Sequence, residues 1–113
     1  MRIGVILVLV LLGAVRHAHS QSAEANSADA ALPGCVETLG TSAAQGFGAG
    51  YCVGMVRVIL NTASMWNSCP PANVTPALAV RVVVAYVNQN ANRMHESFEV
   101  LAVESIRDAW PCK

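Results

Sequence analysis

The residues of this chain with the most definite chemistry are four cysteines: Cys35, Cys52, Cys69 and Cys112. Four thiols could pair as two disulfides or could bind a zinc ion. Structural zinc sites usually contain a Cys-x-x-Cys pair, and this sequence has none. Thiols of an exported protein also tend to oxidise. The sequence therefore favours two disulfides, in a domain small enough to depend on them for stability.

The first twenty residues have the pattern of an export signal. Met1 and Arg2 form a short positively charged start, and residues 3–15 are an almost unbroken apolar run. Small residues at Ala18 and Ser20 follow, as a signal peptidase requires. The apolar run is shorter than the roughly 20 residues that span a bilayer. We expect residues 1–20 to be a cleaved signal peptide, which exports the mature protein to an oxidising compartment without a membrane anchor.

The mature chain has a weakly acidic charge balance. Removing Arg2 and Arg16 with the signal leaves five of the seven basic residues, against seven acidic ones. Proteins that bind nucleic acid or anionic lipid carry clustered Lys and Arg on their surface. The composition therefore predicts no nucleic-acid partner and no attraction to a membrane surface.

The mature chain is long enough for one domain. Residues 21–31 are rich in Ser, Ala and Asn and contain no large apolar side chain. Such a segment buries too little surface to offset its ordering entropy, so we predict a flexible leader. The folded domain is expected to span residues 32–113.

Apolar spacing within residues 32–113 predicts an all-α fold, a small antiparallel four-helix domain stapled by two disulfides. The predicted helices cover residues 34–39, 46–60 and 76–88, and a last helix runs from Met94 to Trp110. Thr75 and Pro76 form a helix start, and Pro111 is a stop signal. The β-branched run at residues 82–84 leaves a strand as the alternative for the third helix.

The second helix carries glycines at four-residue intervals, at Gly46, Gly50 and Gly54. On a helix these residues would line one smooth face, which another helix could approach closely. The alternative is a glycine-rich loop over residues 46–50, with a helix that begins only at Tyr51.

Helix geometry suggests how the cysteines pair, although four cysteines allow three pairings. Cys35 and Cys52 are almost equidistant from a hairpin turn near residues 43–44. Cys69 precedes the third helix and Cys112 follows the fourth, so antiparallel packing brings both to the same end of the bundle. We therefore predict the disulfides Cys35–Cys52 and Cys69–Cys112.

The mature sequence offers little for catalysis. His95 is its only histidine, and Glu96, Glu99, Glu104 and Asp108 fall on one predicted helix, where they resemble a solvated face. No haem-attachment motif, phosphate-binding glycine loop or metal-binding histidine pair is present in the sequence. We expect a protein that is not an enzyme and that has no cofactor and no metal site.

Four sequence blocks, together with His95, carry a family resemblance. The blocks are Gly-Tyr-Cys-Val-Gly at residues 50–54, Cys-Pro-Pro-Ala-Asn-Val-Thr at residues 69–75, Val-Val-Val-Ala-Tyr at residues 82–86, and Ala-Trp-Pro-Cys at residues 109–112. The sequence resembles the Tai, or Rap-type, immunity proteins, which protect bacteria against peptidoglycan amidase effectors of the type VI secretion system. The resemblance covers about residues 35–112. It implies a small periplasmic helical protein that dimerises and occludes the active cleft of its cognate amidase.

A protein that enters a concave active site needs a projecting loop with an anchoring side chain. Residues 61–68 supply the best candidate, because Trp is favoured at interface hot spots. The alternative is that Trp66 folds back over the core beside Cys69, whereas Trp110 is expected in the core. The candidate partner-binding residues are Asn61, Ser64, Met65, Trp66 and Asn67.

A second functional reading remains open. The chain could be a general periplasmic binding module, for example an envelope-stress protein of the chaperone kind, without a dedicated amidase partner. A neighbouring gene for an exported amidase would favour immunity over this alternative.

Overall fold

A computed structural model describes residues 25–40 and 46–113, and there the chain forms four α-helices with no strand beyond two isolated bridges. The helices are α1 (Ala28–Thr38), α2 (Phe47–Asn61), α3 (Pro76–Gln89) and α4 (Phe98–Ala109). Short 3-10 turns cover Ala63–Trp66 and Ala91–Arg93. The predicted all-α, disulfide-stapled four-helix domain is confirmed. The proposed signal peptide and the turn at residues 43–44 lie outside the described residues.

The first helix is longer than predicted. It begins at Ala28 rather than at residue 34, so residues 28–31 are helical and do not belong to a flexible leader. The side chain of Ser27 caps it by accepting a hydrogen bond from the Ala30 N–H at 3.2 Å. Ala28 and Ala31 are buried. The prediction considered only large apolar groups, whereas these small side chains are buried where helices lie close together.

The starts of α1 and α4 cap each other through their backbones. The N–H groups of Ala28 and Asp29 donate to the carbonyls of Glu96 and Met94, both at 2.9 Å, and the Phe98 N–H donates to Asn26 at 2.9 Å. The first N–H groups of a helix have no partner within it. Because the segment before Phe98 supplies these carbonyls, α4 begins at Phe98 and not at Met94 as predicted.

Helix α2 follows the longer of the two predicted alternatives, but its glycine face does not pack. Space around Gly50 and Gly54 is open, with nothing within 4 Å of an added Cβ. The buried residues of α2 are Ala49, Cys52, Val56 and Ile59, so the core-facing side is set by the half-cystine and its apolar neighbours. The predicted glycine contact surface is therefore wrong.

Helix α3 forms as predicted, in spite of its β-branched run. The Thr75 hydroxyl accepts a hydrogen bond from the Leu78 N–H at 3.1 Å, and Pro76 occupies the first turn. Val80, Val83 and Val87 are buried at helical spacing. They pack in one core with the buried residues of the other helices, which include Phe98, Leu101 and Ile106.

Both predicted disulfides are present. Cys35 and Cys52 join α1 to α2 with a Cα–Cα distance of 5.3 Å, and both are buried. Cys69 and Cys112 are joined at 4.9 Å, and Cys69 is exposed. In the part of the chain that the structure describes, no helix is long and apolar enough to cross a membrane.

Candidate functional site

The loop formed by residues 61–68 is held against the end of α4. Asn67 adopts the left-handed conformation, with φ of 56°, and reverses the chain after the 3-10 turn. Ser68 is buried, and its hydroxyl donates to the Ile106 and Trp110 carbonyls at 3.2 and 3.1 Å. The Cys69 N–H donates to the Trp110 carbonyl at 2.7 Å. Because hydrogen bonds and a disulfide both fix it, this loop presents its side chains from a rigid support.

The predicted partner-binding residues come together on this loop. Met65 is 74% exposed and Trp66 is 42% exposed, which is unusual for large apolar side chains. The Trp66 indole N–H donates to the Thr62 hydroxyl at 3.0 Å, which fixes the ring on the surface. Trp66 is therefore neither free in solvent nor folded into the core. Asn61, Ser64 and Asn67 are exposed beside it.

Trp110 lies half-buried against the core, at the C-terminal end of α4. Its carbonyl receives the hydrogen bonds from Ser68 and Cys69. The prediction that Trp110 lies in the core is therefore confirmed only in part. The residue packs against the core, but it is also the C-cap of α4, next to the loop.

An apolar groove of about 450 Å³ runs between α2 and α4, and the sequence analysis did not anticipate it. We call it the α2/α4 groove. Val58 is 58% exposed and Val100 is 48% exposed on its two walls. The sequence feature that could have indicated the groove is that α2 carries apolar residues on its solvent-facing side as well as on its core-facing side. The lining residues that the argument uses are Met55, Val58, Ile59, Trp66, Val100 and Val103.

The two helices that form the groove run in the same direction. Near their starts, the rings of Tyr51 and Phe98 lie 5.9 Å apart, and the Tyr51 hydroxyl donates to Glu99 at 3.4 Å. Glu99 also accepts a hydrogen bond from Ser97. Burial, and then the negative charge of Glu99, raise the pKa of Tyr51. Trp66 and Arg107 line the opposite end of the groove.

The sequence analysis also did not anticipate a polar cluster, which consists of Arg93, Glu96, Glu104 and Tyr86. Arg93 donates to both oxygens of Glu96 at 2.6 and 2.9 Å and to both oxygens of Glu104 at 2.8 and 3.1 Å. The Tyr86 hydroxyl donates to Glu104 at 3.0 Å. The acidic residues of the last predicted helix are therefore not simply a solvated face: two of them bind one guanidinium.

The interactions within this cluster shift the pKa values of its glutamates and its tyrosine. Hydrogen bonds from Arg93 lower the pKa of both Glu96 and Glu104. Burial raises the pKa of Tyr86, and its hydrogen bond to Glu104 raises it further. Glu96 precedes α4 while Glu104 lies within it, so Arg93 ties the turn after α3 to the last helix. This arrangement is a structural clamp.

Among the residues described, no three His, Cys, Asp or Glu side chains are placed so that they could hold a metal ion. His95 is exposed on the turn before α4. The loop of residues 61–68 and the adjoining groove are the candidate recognition features that we consider.

Residues 22–112 match the family model of the Rap1a immunity proteins. The chain belongs to the Rap1a immunity protein family, as the sequence blocks around the cysteines predicted. No curated protein and no solved structure matches the chain. Membership implies that the protein works by binding a partner effector protein.

Proposed function

We propose that this protein is a periplasmic immunity protein that binds a peptidoglycan amidase effector of a type VI secretion system and occludes its active cleft. The observation that carries the proposal is the family match over residues 22–112. The amidase as partner comes from the resemblance of the cysteine-containing blocks. Type VI effectors of this kind act on the cell wall, so their inhibitor must be present in the same compartment.

The two disulfides support this location. Disulfides persist in oxidising compartments such as the bacterial periplasm and are rare in the cytosol. In this chain they join Cys35 to Cys52 and Cys69 to Cys112. Residues 1–20 would supply the signal peptide that delivers the chain there.

The loop of residues 61–68 supports occlusion by direct contact. An inhibitor gains affinity when its contact residues are already held in the bound conformation, because less entropy is lost on binding. The loop meets this condition through the Ser68 hydrogen bonds and the Cys69–Cys112 disulfide. Met65 and Trp66 project from it as apolar anchors. In this role the protein blocks the amidase without catalysing any reaction.

We further propose that the protein acts as a homodimer, which the family resemblance implies. Two copies would present two 61–68 loops, so one dimer could engage two effector molecules.

Titration of the mature protein, residues 21–113, against the exported amidase encoded beside its gene tests the proposal. Calorimetry is expected to show binding tighter than micromolar, and amidase activity on peptidoglycan should fall in proportion to the complex formed. The immunity protein alone should release no peptide from peptidoglycan. An amidase from an unrelated effector group serves as the control. Absence of binding at micromolar concentration would contradict the immunity function.

A further inference from the structure

We propose that the α2/α4 groove is the surface through which two copies of this chain pair, about a two-fold axis that passes near Val103. The inference rests on the homodimer proposed above and deepens it, because it names the face and the charged residues that align the two copies.

The first argument is the exposed apolar surface. Val58 of α2 and Val100 of α4 both line the groove, and about half of each residue is exposed. Met55, Ile59 and Val103 extend the apolar lining between them. A contiguous apolar patch with a polar rim is typical of a surface that another protein covers. A second helix laid along the groove would contact α2 on one side and α4 on the other.

The second argument is the charge arrangement along α4. Glu99 and Arg107 both line the groove, and each lies four residues from Val103. At 1.5 Å per residue, each charge is about 6 Å along the helix from that centre. A two-fold axis at Val103 makes the two α4 helices antiparallel. Glu99 of one copy then lies opposite Arg107 of the other, twice in each dimer.

This symmetry favours a second copy over an unrelated occupant. A two-fold interface places the same surface on both partners, so that surface must be complementary to itself. A segment with opposite charges at equal distances from an apolar centre has this property. An unrelated protein would not require equal spacing.

The charges needed for pairing are available. In the described part of the chain, Arg107 has no ion pair within 4 Å and is exposed. Glu104, the other acid on the groove, is already matched by Arg93 at 2.8 Å. Within residues 25–40 and 46–113, Glu99 accepts hydrogen bonds only from the neutral hydroxyls of Tyr51 and Ser97, so no cation there neutralises its charge.

The pairing surface and the loop share two residues, Thr62 and Trp66. Met65 projects from the loop and does not line the groove, whereas Val100 lines the groove and is not part of the loop. Substitutions at these two residues therefore separate the two proposed surfaces.

Sedimentation equilibrium of the mature protein measures the pairing. We expect a dimer whose dissociation constant rises at least tenfold in Val100→Asp, because a charge would be buried, and in Arg107→Glu, because like charges would face each other. Val36 on α1 and Arg81 on α3 are exposed and lie outside the groove. The control variants Val36→Asp and Arg81→Glu should therefore leave the dissociation constant of the dimer unchanged. Circular dichroism verifies that each variant remains folded.

A mixing experiment tests the two-fold geometry itself. In a homodimer of Glu99→Arg, the positive charge at position 99 of each copy would face Arg107 of the other. In a homodimer of Arg107→Glu, the negative charge at position 107 of each copy would face Glu99 of the other. Each variant alone should therefore be mainly monomeric. In a one-to-one mixture, the two positive side chains of the first variant face the two glutamates of the second, at positions 99 and 107 of each chain. A mixed dimer should then form with affinity near that of the wild type.

A wild type that remains monomeric at millimolar concentration would overturn the pairing. The proposal that the protein binds an amidase would be unaffected, because the titration tests it independently. A dimer unaffected by Val100→Asp and Arg107→Glu would overturn this face as the interface. If the single charge variants fail to pair even when mixed, the two-fold alignment is wrong. If Val100→Asp weakens amidase binding but not self-association, the groove belongs to the effector.

Discussion

Gly34 in α1 and Gly48 in α2 meet backbone to backbone. A Cβ atom added to Gly34 would lie 2.3 Å from both the carbonyl carbon and the carbonyl oxygen of Gly48. Real side chains do not approach a backbone so closely, so only glycine fits at this position. The contact adjoins the Cys35–Cys52 disulfide, which joins the same two helices.

Gly34→Ala is therefore expected to destabilise the protein, although alanine is the better helix former. The two helices must separate to admit the methyl group, and overpacking of this kind costs about 1–3 kcal/mol. Gly50→Ala is the matched control, because a Cβ there meets open space. It should stabilise the fold by about 0.5–1 kcal/mol. Urea unfolding of both variants checks the prediction, and equal stabilisation by both would contradict the close helix contact.

The Gly34–Gly48 contact shows where sequence reasoning about the fold succeeded and where it did not. The helices and both disulfides could be predicted, because apolar periodicity, caps and cysteine positions are local signals. The face on which the helices touch depends on the rotation of α2, which the buried Cys52 and Val56 determine. Four-residue glycine spacing gives no information about that rotation, so the wrong glycines were assigned to the contact.

The Arg93 cluster predicts how stability depends on pH. Arg93 lowers the pKa of Glu96 and Glu104 in the folded protein, below the value of about 4.3 for an unfolded glutamate. Their contribution to stability is therefore fully present above that unfolded value. It is lost as the pH falls through the lower folded values, when the carboxylates become protonated.

Arg93→Gln should lower the free energy of unfolding at neutral pH and also reduce its loss on acidification. Arg81→Gln, at an exposed site without an ion pair in the described residues, is the control and should keep the acid sensitivity of the wild type. Urea unfolding at neutral pH and near pH 3 provides the measurement. An unchanged pH dependence in Arg93→Gln would show that the clamp does not form in solution.

The proposed recognition surface was predictable only in part. Trp66 and Met65 stand out in the sequence because they are large apolar residues in a polar loop, and the structure does place them on the surface. The groove could not be found in this way, since it arises where α2 and α4, separated by a whole helix in sequence, lie side by side. Arg93 is likewise joined to Glu104 across eleven residues by the fold.

The two disulfides should differ in how easily they are reduced. Cys35 and Cys52 are fully buried, whereas Cys69 is exposed, and thiol–disulfide exchange requires access to a sulfur. A mild reductant is thus expected to open Cys69–Cys112 first. Alkylation of the released thiols, followed by peptide mapping, identifies the order. Labelling of Cys35 or Cys52 before Cys69 would contradict the burial seen here.

Removal of either disulfide should cost several kcal/mol. Their sequence separations are 17 and 43 residues, for which the chain-entropy relation gives about 3 and about 4 kcal/mol. The paired replacements Cys35→Ala with Cys52→Ala, and Cys69→Ala with Cys112→Ala, should both lower the free energy of unfolding by such amounts. If the free energy of unfolding hardly changed in one of these double variants, the unfolded chain would already be restricted without that disulfide.

Trp66→Ala should weaken amidase binding by roughly 2 kcal/mol or more, as is usual for an aromatic hot spot. The fold should be retained, because the side chain is 42% exposed, lies outside the buried core and makes its hydrogen bond to Thr62 at the surface. Met65→Ala should also weaken binding, and because Met65 lies outside the groove it reports on the loop alone. Leu78→Ala, an exposed apolar residue at the start of α3, is the control. Unchanged affinity in both loop variants would place the effector interface elsewhere on the molecule.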